Sequence, residues 1–292
     1  MTPFAVALCA LLLSLSPAAR ADQVSLHIPW RQGPARAALI QPLVVDPTLS
    51  DAALAEVAAS PDWRLRQQAA LVLGWRQTPE LFARFQVEQP LPAANGMARF
   101  RGEDLADARL APLFLERLLE RPGAAEEWAL IEVLPRTGGD WAEAFVGLMA
   151  EEGDPQVRSV LAASMRWAPA SAAAEGVRAA LADGEGLVRG EAARAVGWRK
   201  DGAALAAELI PLLGDAEAYP RAMAARSLGY LKVTSAFEAL RPLLGDPDAD
   251  ARLQALHAME RIDEAALKGL PEVSRLVADP DPKVARAARE LR

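Results

Sequence analysis

One arginine recurs along this chain at nearly constant spacing. Arg158, Arg189, Arg221 and Arg252 are separated by 31, 32 and 31 residues, and Arg66 precedes Arg158 by 92, close to three such periods. Each follows an acidic residue and then an apolar one, in Asp62 to Arg66, Asp154 to Arg158, Glu185 to Arg189, Glu217 to Arg221 and Asp248 to Arg252. A fixed period of this length marks a repeat architecture. Each unit is too small to bury its own apolar face and must bury it against its neighbours.

The residues around each arginine define the unit. Three and four positions beyond it lie Ala69-Ala70, Leu161-Ala162, Ala192-Ala193, Ala224-Ala225 and Ala255-Leu256, and seven beyond it lie Leu73, Met165, Val196, Leu228 and Met259. With the apolar residue just before the arginine, these positions fall on one helical face. The alanines let neighbouring helices approach closely, and the larger residue fills the layer. Gly74, Gly197 and Gly229 then stand where a helix terminator is expected. A second helix is predicted in each unit, at Ala203 to Leu213, Ser235 to Leu244 and Ala265 to Val277. Junctions such as Asp246-Pro247-Asp248 and Asp279-Pro280-Asp281-Pro282 combine a stop with the N-cap of the next helix. The expectation is an all-α fold, an α-solenoid of tandem helix pairs, about eight of them with some degraded.

The Asp-Pro junctions, the Val-Arg pairs at Val157-Arg158 and Val188-Arg189, the Ala-Ala pairs and Leu228-Gly229 together resemble HEAT repeats. The similarity is to the short form found in phycobilisome-lyase-like HEAT proteins, and it is most specific from Asp154 to the C-terminus. Some members of that family attach bilins, but the resemblance is read here as a description of fold only. Some HEAT-like hydroxylases hold a di-iron centre with His-Glu pairs. This chain has no His-Glu dipeptide, so the resemblance does not imply that activity.

The pattern places regular repeats over residues 122–292. Residues 61–121 hold HEAT-like repeats with an irregular insertion near 86–102, where Gln86 to Gly102 carries several helix breakers before a strong helix resumes at Glu103 to Glu120. Residues 22–60 read as an N-terminal arm and a degenerate capping repeat. Residues 1–21 read as a secretory signal, with an apolar run from Phe4 to Leu15 and a small-residue cleavage site at Ala19-Arg20-Ala21, although its n-region has no Lys or Arg. The run is too short for a spanning helix, so no transmembrane anchor is expected after cleavage, and the expected location is periplasmic or secreted.

Composition then narrows the chemistry. Cys9, the only cysteine, lies inside the predicted signal, so the mature chain would have no thiol for a disulfide, a thiolate metal site or a cysteine nucleophile. His27 and His257 are the only histidines, and neither has ligand-spaced companions. No phosphate-binding glycine motif or nucleophile elbow appears. No catalytic residue, metal or cofactor is therefore expected. Loss of Arg20 with the signal would leave 31 basic against 39 acidic residues, a net charge of −8 with no dense basic cluster, which argues against nucleic acid as a ligand.

The candidate binding residues stand nine positions beyond the repeating arginine: Trp75, Trp167, Trp198 and Tyr230. Such a row would suit stacking of a peptide or glycan. The competing reading is that each ring packs against the next turn and merely builds the repeat. The repeating arginines likewise have two readings, contact with an acidic ligand or a ladder of inter-repeat ion pairs and carbonyl contacts. The functional expectation is an exported scaffold that binds a protein or peptide without catalysing a reaction. The alternative is an accessory subunit or substrate-handling module of a cell-envelope enzyme, with the insertion at 86–102 touching the partner.

Overall fold

The computed structural model of the chain describes residues 42–85, 107–120 and 124–291. The predicted signal, the arm at 22–30 and the insertion at 86–102 lie outside them. Among the described residues the regular structure is entirely helical, an α-solenoid of HEAT-like helix pairs. The chain divides into two units, Met1–Ala144 and Phe145–Arg292.

In the first unit, α1 (Asp51–Ala58) begins where the Ser50 hydroxyl accepts the Ala53 N–H, and α2 (Trp63–Gln77) where Asp62 accepts the Arg64 N–H. These caps satisfy donors that the first turn leaves without partners. Leu54, Ala69, Leu71, Val72 and Phe82 form a buried core between α1, α2 and α3 (Pro79–Phe85). Arg76, at the end of α2, donates to the carbonyls of Leu43, Val44, Asp46 and Leu49 and so binds the preceding segment to the helix. The chain is described again from Asp107, whose carboxylate caps a short 3₁₀ turn leading into α4 (Ala111–Leu119). α5 (Ala124–Thr137) follows and ends at Gly138, whose φ of 70° gives the left-handed turn a helix stop requires. α6 (Ala142–Glu151) closes the unit and carries the chain into the next.

In the second unit, α7 (Pro155–Ser164), α9 (Gly186–Gly197), α10 (Ala218–Tyr230), α12 (Ala249–Lys268) and α14 (Pro282–Glu290) pack side by side as one layer. Between them the chain returns through α8 (Ala170–Leu181), a 3₁₀ segment Gly202–Gly214, the short turns Thr234–Gly245 that include α11 (Phe237–Leu240), and α13 (Pro271–Leu276). The predicted face is buried: Val157, Leu161, Ala162, Met165, Val188, Ala192, Ala193, Val196, Ala224, Ala225, Leu228, Ala255, Leu256 and Met259 are all in the core. Each buried Leu or Val contributes about 1.5–3 kcal/mol relative to exposure, so this stripe supplies much of the driving force for stacking.

Two expectations need correction. The second helices predicted at Ala203 to Leu213 and Ser235 to Leu244 are largely 3₁₀. Pro211 and Pro242 stand at equivalent places in Pro-Leu-Leu-Gly-Asp sequences, and each removes an N–H donor and crowds the carbonyl one turn back. The third, Ala265 to Val277, is split by Gly269 and Leu270 between the end of α12 and α13. Nor do Gly74, Gly197 and Gly229 act as left-handed terminators, because Gly138 is the only described glycine with positive φ. They are glycine for contact. A Cβ on Gly229 would lie 2.5 Å from the Ala258 Cα, one on Gly197 2.4 Å from the Ser227 hydroxyl, and one on Gly74 2.1 Å from the Phe82 ring.

Candidate functional site

The repeating arginines form the ladder. Arg158, Arg189, Arg221 and Arg252 each place Nε–H and Nη2–H on the two oxygens of an aspartate 25–27 residues later, Asp183, Asp215, Asp246 and Asp279, at 2.7–3.0 Å. Nη1 reaches back to two carbonyls five and six residues earlier, as in Arg221 to Asp215 and Ala216. Each aspartate also accepts a backbone N–H two residues on, such as Asp248 N–H at Asp246. One guanidinium therefore ties two successive junctions together, in the bidentate geometry that only arginine offers. The principal partner is the aspartate of the next junction, two residues before the N-cap of the following helix, rather than the acid at the arginine's own helix start. Arg66 repeats the arrangement in the first unit with Asp140 and Glu143 and the carbonyls of Ser60 and Pro61. With most of their N–H groups engaged and little of each side chain exposed, these guanidiniums serve as framework.

The aromatic positions divide. Trp75 is half-buried against the first unit's core, edge-on to Phe82 at 5.4 Å. In the second unit Trp167, Trp198 and Tyr230 are 43%, 58% and 44% exposed. They stand at the C-terminal ends of α7 with its 3₁₀ extension, α9 and α10. The Trp198 and Tyr230 rings are 6.1 Å apart and tilted by 45°. The structure thus brings two of the four predicted residues into contact, sets Trp167 at the equivalent place one repeat earlier, and gives Trp75 to the packing of the other unit.

Four further residues belong to this edge and escaped the aromatic pattern. The Arg166 guanidinium stacks 3.6 Å over Trp167, while Arg226 and Arg261 lie 5.4 and 4.7 Å from the centre of the Tyr230 ring. Cations over ring faces at these distances are attracted by the π-electron density. Arg261 stands nine positions after Arg252, so the row continues into the fifth repeat as a guanidinium, a signal present in the sequence for anyone asking what replaces the aromatic there. The fourth residue is Arg199, buried below the row. Its Nη1 donates to the carbonyls of Met165 and Ala168 at 2.5 and 2.8 Å, and its Nη2 to Asp201 at 2.7 Å. That hydrogen bond holds the Asp201 carboxyl below its usual range. Arg199 thereby fixes the segment bearing Trp167 against the helix end bearing Trp198.

No group of three His, Cys, Asp or Glu side chains among the described residues could hold a metal ion. No helix among them is long and apolar enough to cross a membrane.

Residues 206–292 match a family model described as HEAT repeats, in agreement with the repeat geometry of α10, α12 and α14. The match covers the C-terminal part of the second unit, and the class that the helix packing defines is an all-helical solenoid of HEAT-like pairs. Among solved structures, the chain is similar to an engineered protein from the Northeast Structural Genomics Consortium, at 18% identity and a TM-score of 0.43 over 97% of this chain and 76% of the other. No curated protein matches it in sequence.

Proposed function

We propose that the chain is an exported, non-catalytic scaffold that binds a protein or peptide segment along the edge of its second unit marked by Trp167, Trp198 and Tyr230. The observation that carries this reading is the exposure of three large aromatic side chains at one repeat-equivalent position. A ring needed only to build the repeat would pack against the core, as the half-buried Trp75 does. Large exposed aromatics on rigid helix ends offer much contact area at little entropic cost, which is how binding hot spots are built. HEAT-type arrays serve as binding surfaces without reactive side chains. The predicted signal at 1–21 supports export to the periplasm or medium.

The test has two arms. Affinity capture from envelope extract should retain one protein with the wild-type chain and lose it when Trp167 and Trp198 are both changed to Ala, with helical content unchanged. Capture that survives the double substitution would move the site elsewhere. Fractionation of cells carrying a tagged chain should find it outside the cytoplasm with residues 1–21 removed, and retention of an uncleaved cytoplasmic form would defeat export.

A further inference from the structure

Charge is distributed unevenly between the ladder and the aromatic edge. The chain is acidic overall, with 39 acidic against 32 basic residues, and its ladder arginines are all neutralised by aspartates. At the edge the balance reverses. Arg226 and Arg261 have no carboxylate partner among the described residues. Among those residues their hydrogen bonds are Arg226 Nη2 to the Tyr230 hydroxyl at 3.5 Å and Arg261 Nη1 to the His257 carbonyl at 3.2 Å. Lys200 and Lys232, two residues beyond Trp198 and Tyr230, are exposed and likewise have no carboxylate partner among the described residues. The acids nearby are already occupied. Glu191 is held by Arg194 and the Tyr219 hydroxyl, Asp201 by Arg199, and Asp263 caps the Ala266 N–H. Glu260 approaches His257 at 3.4 Å.

We infer that this edge receives an extended acidic peptide segment of a partner protein, with apolar side chains against Trp198 and Tyr230 and carboxylates on Arg226 and Arg261. The inference rests on the scaffold reading above and names the chemistry of its partner. The 6.1 Å between the Trp198 and Tyr230 rings is close to the roughly 6.6 Å between same-side residues of an extended strand, so alternate side chains of one segment can meet successive rings. The guanidiniums over Tyr230 are planar and have free N–H groups suited to two-pronged contact with a carboxylate. A nucleic acid fits less well. Its phosphates are continuous, and an acidic chain with four scattered cations offers little counterion release.

Fluorescence anisotropy with the full chain tests this. The probes are a labelled peptide of three Glu-Pro-Phe-Gly repeats, its counterpart with Gln for Glu, and labelled oligothymidylate. The Glu peptide should bind about tenfold more tightly than the Gln peptide, the scale of one good charge-assisted contact. Changing Arg226→Gln and Arg261→Gln together should abolish that difference, and Trp198→Ala should weaken both peptides alike. Lys200→Glu, at an exposed position with no packing to lose, should weaken the Glu peptide severalfold and leave the Gln peptide unaffected. Equal binding of the two peptides, no binding of the Glu peptide at millimolar concentration, or tighter binding of oligothymidylate would overturn the acidic inference. If the tryptophan variants still lose the envelope partner in those cases, the scaffold reading stands and only the acidic chemistry fails.

Discussion

Arg221 and Asp246 are 25 residues apart in sequence and meet in a two-pronged ion pair, Nε to Oδ2 and Nη2 to Oδ1, both at 2.7 Å. Their side chains are 12% and 6% exposed, so the carboxylate cannot turn to water if its partner is removed. Arg221→Ala should cost about 2 kcal/mol in unfolding free energy by leaving Asp246 and the Asp215 and Ala216 carbonyls short of donors. Arg221→Lys should recover little of it, because an ammonium cannot span both carboxylate oxygens and the two carbonyls together. Arg286→Ala, which breaks the exposed pair with Glu290, should leave the denaturation midpoint unchanged. Urea denaturation of the three variants checks the contrast, and equal losses for Arg221 and Arg286 would show that the ladder adds nothing special.

The same pairs dictate a dependence on pH. Hydrogen bonds from Arg189 and Arg252 hold the carboxyls of Asp215 and Asp279 below their ordinary value of 3.8. At Asp183 and Asp246 burial acts in the opposite direction, but the bonds from Arg158 and Arg221, together with a backbone N–H, outweigh it. A carboxyl whose folded pKa is depressed stabilises the fold above the unfolded value and loses that contribution as the pH falls through the folded one. Stability should therefore hold down to about pH 4 and decline progressively below it. Denaturant titrations at descending pH should show this slope, and Arg189→Ala should make it shallower by removing the cause of one shift.

The distribution of chemistry along the repeat explains what the sequence could reveal. The stripe Val188, Ala192, Ala193, Val196 is legible because helical burial has a period, and the ladder arginine is legible because its whole environment recurs with it. The exchange of α-helix for 3₁₀ at Gly202–Gly214 is harder to see. Its apolar residues suit either helix, and only the interior Pro211 hints at the change. The glycines serve contact where their positions suggest chain termination. Gly197 and Gly229 follow buried apolar residues near helix ends, where a terminator belongs, but what requires them is a neighbouring helix, at Ser227 and Ala258 respectively, and that contact leaves no local signature. At the edge, the row Trp167, Trp198, Tyr230 was visible as a repeat of aromatics. The roles of Arg199 and Arg261 depend on which carbonyls and rings lie across the repeat boundary.

Gly229 offers a direct test of the contact reading. Because its Cβ would meet the backbone of Ala258 at 2.5 Å, Gly229→Ala must push α10 and α12 apart. Overpacking of this kind typically costs about 1–3 kcal/mol, more than the helix propensity gained on replacing glycine. Gly214→Ala, where nothing lies within 4 Å, should change stability by no more than about 0.5 kcal/mol. Thermal unfolding of the two variants distinguishes contact from conformation. If Gly229 were needed for its backbone freedom instead, Asn in its place would be better tolerated than Ala.

Trp75 and Trp198 occupy the same place in the repeat pattern, so changing each to Ala isolates what exposure contributes. Trp75 packs edge-on against Phe82 beside a core that includes Leu54 and Leu71, and Trp75→Ala should open a gap and cost about 2–4 kcal/mol, reduced from a fully buried site because the ring is only half-buried. Trp198 touches Tyr230 on one side and solvent over 58% of its surface, so Trp198→Ala should cost less than about 1 kcal/mol while removing much of the affinity for a bound segment. Unfolding curves measured beside partner capture separate the two effects. A Trp198→Ala chain as destabilised as the Trp75→Ala one would assign the whole row to packing and leave the edge without a reason to be aromatic.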